Sequence, residues 1–129
     1  MVARVKAITG GAGVPVAYDS VGKATFATTL KCIGLRGLFV SFGAASGPPP
    51  AVEANILREA GSLYFTRPAL NMYVGKREEL DASAGAAFDL VAKGVIKPNI
   101  RKRYALEDVA QAHAELEAGR TVGSSVLVP

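Results

Sequence analysis

The 129-residue sequence has one cysteine, one histidine and no apolar run long enough to cross a bilayer. Cys32 alone cannot close a disulfide within the chain, which makes a reducing cytoplasm the expected compartment. One cysteine and one histidine cannot assemble a structural zinc tetrad. A membrane helix needs about 18 consecutive apolar residues, and the start of the chain also lacks the apolar core of a secretion signal. There are no internal repeats, and no low-complexity segment beyond Pro48-Pro49-Pro50. Charge is sparse: 15 basic and 11 acidic residues leave a formal +4, which suits an anionic small ligand better than a nucleic acid. The sharpest basic cluster, Arg101-Lys102-Arg103, has no interleaved aromatics and reads as a solvated edge. What the chain does have is 50% hydrophobic residues, enough for one globular domain with a single core.

Punctuation by glycine and proline divides this apolar material into elements. Residues 2–8 read as the tail of a helix stopped by Gly10 and Gly11, and the sequence is expected to open in mid-element. Residues 14–20 predict a buried strand, and Phe26, Leu30 and Ile33 form one stripe of a helix over 24–33. A second strand is expected over 37–43, a short helix over 52–60, and a third strand over 62–66, stopped by Arg67-Pro68. A longer helix over 76–93 would carry Leu80, Ala84, Phe88 and Val91 on one face. Residues 96–104 are weakly extended, 107–118 helical with Glu107 and Asp108 in the first turn, and 124–129 a closing strand. His113 falls on the inner stripe of that last helix with Val109 and Leu116, and Cys32 reads as a small core residue.

Up to residue 66 the order is β-α-β-α-β with strands expected to be buried on both faces, the pattern of an α/β fold with a parallel sheet. Such sheets take ligands outside the carboxyl ends of their strands. The stretch "FGAASG" (42–47) lies there, bare of large side chains after Phe42 and followed by three prolines. By contrast, "TGGAGVPV" (9–16) is no dinucleotide fingerprint: its glycines precede a strand instead of following one, and read as a helix stop and turn.

Three stretches, "VAYDSVGKATF" (16–26), "RGLFVSFGAASGPPP" (36–50) and "GSLYFTRPAL" (61–70), resemble in order the zinc-independent quinone oxidoreductases of the medium-chain dehydrogenase/reductase superfamily, the NADPH:quinone reductase or zeta-crystallin branch. The ending "AHAELEAGRTVGSSVLVP" (112–129) is similar to that branch's C-terminus. The resemblance runs the whole chain but covers less than half of a usual member. It implies a C-terminal part of such an enzyme. Residues 1–75 would be the second mononucleotide half of a Rossmann-type doubly wound sheet. Residues 76–129 would form a C-terminal α+β segment that runs back to a catalytic domain and, without it, exposes apolar surface.

The resemblance also implies site residues. Phe42, Gly43, Ala44 and Ser46 would lie by the nicotinamide and its ribose: Phe42 as a wall, Gly43 admitting the ring, Ser46 donating a hydrogen bond. Ser20 either reaches ribose or phosphate or serves as a turn residue, the role given to Asp19. Phe65, Thr66 and Arg67 would approach the nicotinamide, with Arg67 alternatively a plain solvated side chain. Arg120 would approach the cofactor from the C-terminal segment, or be an exposed loop arginine. His113 reads as a packing or interdomain residue. No residue presents itself as a catalytic acid or base, and no metal ligand set is present. The implied activity is metal-free hydride transfer from NADPH to a quinone or conjugated carbonyl, by a homodimer paired through the strand at 62–66 and free of nucleic acid and membrane. These residues alone are expected to be inactive. The alternative is a truncated, non-catalytic relative serving as a dimerisation or interaction module.

Overall fold

The computed structural model describes all 129 residues, which divide into two units, Met1–Gly75 and Lys76–Pro129. In the first, helix α1 (Val2–Ile8) ends where the Thr9 hydroxyl donates to the Val5 carbonyl, and Gly10 and Gly11 turn the chain with positive φ. The 9–16 glycines are therefore a helix stop and a turn. Three strands follow, β1 (Val14–Asp19), β2 (Ile33–Ser41) and β3 (Tyr64–Thr66), joined by helices α2 (Phe26–Leu30) and α3 (Ala54–Glu59). They pair in parallel in the order β1-β2-β3, so each connection is a β-α-β crossover. The α/β class and the parallel sheet match the pattern in the sequence.

Register decides which residues meet. Ala17, Phe39 and Phe65 form one row across the sheet, and Phe26, Leu30, Ile56 and Leu57 cover it from α2 and α3. The three phenylalanine rings interlock there, Phe26 stacked on Phe39 at 5.4 Å and Phe65 set edge-on to both. Strand side chains alternate, so Tyr18, Val40 and Thr66 occupy the opposite face. Tyr18 and Tyr64 are 74% and 66% exposed on that side. The expectation of strands buried on both faces is thus corrected: the two connecting helices, α2 and α3, pack on one face.

Boundaries moved where register overrode local pattern. The helix expected over 24–33 is confined to Phe26–Leu30, because Ile33 already pairs with Val14 as the first residue of β2. Cys32, buried as expected, accepts a hydrogen bond from the Val14 amide at that joint. β2 closes at Ser41, two residues before the anticipated end, and a short helix α4 (Leu70–Tyr73) follows β3 unannounced by the sequence pattern.

The second unit holds α5 (Arg77–Ala92), β4 (Ile100–Ala105), α6 (Val109–Glu117) and β5 (Ser124–Val128). β4 and β5 pair in parallel as a two-stranded sheet, and a 3-10 turn over Leu106–Asp108 leads into α6. Tyr104 is the one well-buried apolar residue. Phe88 and Leu116 are exposed, and His113 is exposed with them, so the proposed inner stripe of Val109, His113 and Leu116 does not build a core within this unit. Neither α5 nor α6 buries a residue, and a two-stranded sheet alone offers too little surface to close one.

Candidate functional site

The site predicted from sequence lies where the carboxyl ends of β1 and β2 run side by side, Asp19 opposite Ser41. Beyond that pair the two chains stay joined by backbone bonds. Phe42 and Gly43 amides donate to the Asp19 carbonyl, Ala45 to Ser20, Ser46 to Val21, and Lys23 back to Gly47. The Ser46 hydroxyl donates to the Val21 carbonyl at 2.7 Å and accepts from the Ala24 amide at 2.9 Å. Its single proton is thereby engaged, so Ser46 acts as a brace between the loops.

The small residues have the same explanation. A Cβ on Gly43 would lie 2.3 Å from the Ser20 carbonyl oxygen and 2.7 Å from Ser20 Cα. One on Gly22 would lie 2.4 Å from the Gly47 carbonyl, at a φ of +87° that disfavours side chains in any case. Glycine here permits loop to lie on loop.

Beneath this double loop sits Asp19, 4% exposed. Its carboxylate accepts from the amides of Val21 and Gly22 and from the hydroxyls of Thr25 and Thr29, at 2.7 to 3.0 Å. Burial pushes the acid's pKa up, but the donors of Gly22, Thr25, Val21 and Thr29 outweigh it and hold the group below the ordinary carboxylate value. Asp19 is more than a turn residue: it ties the end of β1 to the first two turns after it. The sequence signal was available, since Thr25 and Thr29, six and ten residues after Asp19, are four apart at the N-cap and within α2 and so share the face that looks back to it. Arg67 closes the other side, its guanidinium donating to the carbonyls of Ser41 at 2.7 Å and Gly43 at 3.4 Å.

On this rigid end stand the groups left free. Phe42 is 53% exposed, its ring edge-on to Tyr18 at 6.5 Å, an aromatic neighbour that sequence reasoning missed. Ser20 and Ala44 are exposed, and the Ser20 hydroxyl makes no hydrogen bond. Ser20, Phe42, Gly43, Ala44, Ser46 and Arg67 are thus brought together. Phe65 contributes its ring to the helix-covered row, and Thr66 lies on the other face beside Val40. Arg120 belongs to the second unit, exposed after α6. No three His, Cys, Asp or Glu side chains converge as a metal site, and no helix is long and apolar enough to cross a membrane.

Comparison with known proteins places this arrangement in context. Residues 2–127 match the family model described as zinc-binding dehydrogenase. A quinone oxidoreductase of Salmonella typhimurium is 52% identical over the whole chain, and the 2-haloacrylate reductase of a Burkholderia species 41% identical over 97% of it. The crystal structure of Escherichia coli quinone oxidoreductase complexed with NADPH superposes on 99% of the chain with a TM-score of 0.90 at 48% identity. In each case the chain spans about two-fifths of the relative's length: 40%, 38% and 40% respectively.

Proposed function

This chain belongs to the zinc-binding dehydrogenase family, in its quinone oxidoreductase branch, and from that premise we propose that it supplies one wall of the cofactor site in an NADPH-dependent oxidoreductase. The observation that carries the reading is the braced carboxyl end of the parallel sheet, where an exposed aromatic ring and a free hydroxyl stand over a backbone with no large side chains. Those groups fit a dinucleotide: Phe42, backed by Tyr18, offers a flat apolar wall, and Ser20 a hydrogen bond to ribose or phosphate. When bound, NADPH supplies the hydride that reduces a quinone or conjugated carbonyl. Asp19, Ser46 and Arg67 keep the loops from moving, so that Phe42 and Ser20 are positioned before the cofactor arrives. Thr66 is a further contact in this reading. Phe65 acts from behind, as packing beneath the strand end.

In the same reading Met1–Gly75 forms the second mononucleotide half of a Rossmann domain, and Lys76–Pro129 a segment that returns to a catalytic domain. The reaction uses no metal, and the enzyme works in the cytoplasm. None of the site side chains named above is placed as an acid or base. The one buried carboxylate, Asp19, has its oxygens occupied by four donors. These 129 residues on their own turn over nothing. β3 is an outer strand with Tyr64 exposed, and its free edge is the proposed pairing surface of a homodimer. The same free edge favours the second reading, a non-catalytic pairing module.

A chimera tests the first reading. The matching segment of the E. coli enzyme is replaced by this chain, and NADPH oxidation with a quinone acceptor is measured. A folded chimera should turn over, and Phe42→Ala in it should raise KM for NADPH. A folded chimera that dimerises but oxidises no NADPH would instead support the pairing module.

A further inference from the structure

Phe42 stands on a backbone that is fixed from both sides. Its own amide donates to the Asp19 carbonyl at 2.9 Å, and the Arg67 guanidinium holds the preceding carbonyl, that of Ser41, at 2.7 Å. The side chain has no such hold from below: it is half exposed and lies outside the buried cluster under α2 and α3. Its rotamer therefore depends on what stands beside it. One ring does. β1 and β2 pair in parallel with Tyr18 opposite Val40, so Phe42, two residues past Val40, comes diagonally next to Tyr18 on the same side of the sheet. The two rings meet there edge to face, 6.5 Å between centres and 68° between planes, the arrangement their quadrupoles favour.

Whichever ring offers its edge, such a contact covers at most one face of Phe42 and leaves the other free for a flat ligand. Tyr18 is itself mostly exposed, on the face that α2 and α3 leave open, so its ring adds little to the core. We propose that Tyr18 is a positioning residue for the cofactor wall: it acts through Phe42, holding that ring in one rotamer before the nicotinamide cofactor arrives. The inference rests on the reading of Phe42 as that wall. Without Tyr18 the ring samples several rotamers and loses that freedom only on binding. The loss then falls on affinity for the cofactor and not on the hydride step.

Two measurements test this. In the full chain, NMR three-bond couplings read χ1 of Phe42 without any ligand. A single rotamer is expected in wild type and in Tyr18→Phe, which keeps the ring, and averaged couplings in Tyr18→Leu. In the chimera with the E. coli enzyme, Tyr18→Leu should raise KM for NADPH about fivefold, the worth of one aromatic pair, with kcat unchanged. Tyr18→Phe should restore the wild-type KM. Averaged couplings in wild type, or a locked ring in Tyr18→Leu, would overturn the proposal. So would an unchanged KM in Tyr18→Leu where Phe42→Ala raises it. A drop in urea stability of Tyr18→Leu with unaltered couplings would overturn it too, making Tyr18 a cover for the buried Val40. If Phe42→Ala itself leaves KM unchanged, the cofactor reading fails instead, and the couplings alone decide whether Tyr18 holds the ring.

Discussion

Replacing Asp19 by alanine tests whether this residue organises the site. The change strands four donors, but not equally. Thr25 has a second acceptor in the Gly22 carbonyl at 3.3 Å, and the partly exposed Val21 amide can turn to water. The Gly22 amide and the Thr29 hydroxyl are buried and have no alternative. Each buried orphan costs about 1–3 kcal/mol, so the variant should lose about 4 kcal/mol. That is a large share of the roughly 5–15 kcal/mol usual for a domain. The assay is urea unfolding at pH 7, followed by NMR signals of Thr29 and Val40 so that the first unit is read by itself. Asp19→Asn keeps one acceptor and should fall between. A loss below about 1 kcal/mol in the alanine variant would refute the reasoning. Acid provides an independent check. The folded-state pKa is depressed, so the carboxylate's contribution is complete above its unfolded value of 3.8 and is lost as pH falls through the lower folded one. Wild type should weaken progressively below about pH 4, and Asp19→Ala should lack that component.

Gly43→Ala sets a Cβ against the Ser20 backbone and should cost about 2 kcal/mol, with faster amide exchange over 42–47; unchanged stability would mean the two loops do not need their close approach. In the second unit, hydrogen bonds from Lys102, Gln111 and Tyr104 lower the Glu115 carboxyl to about 2. Because that pKa is depressed, the Tyr104 resonances should hold constant from pH 7 to the ordinary carboxylate range and change as pH falls towards about 2. Glu115→Gln should show the altered Tyr104 environment already at pH 7, and an unaltered acid transition in that variant would count against the pairing.

Much of the frame was legible without coordinates, because it depends on signals within a few residues. Apolar runs of five or six between glycines marked β1, β2 and β3, and periodic stripes marked α5 and α6 within a residue or two of their ends. The short α4 carried no such stripe and was passed over. The "FGAASG" stretch was correctly singled out, but its smallness was read as room for a ligand. Part of that room is filled by the chain itself, since Gly43 lies against Ser20 and Gly22 against Gly47.

By itself, then, the sequence determined the order of elements, the parallel β-α-β-α-β class and the family resemblance, all functions of local pattern. Tertiary structure decided what the individual residues do. The Ser46 hydroxyl finds Val21 across 25 residues, and Arg67 finds Ser41 across 26. Such pairings are set by which strand ends lie side by side, and no window along the chain contains both partners.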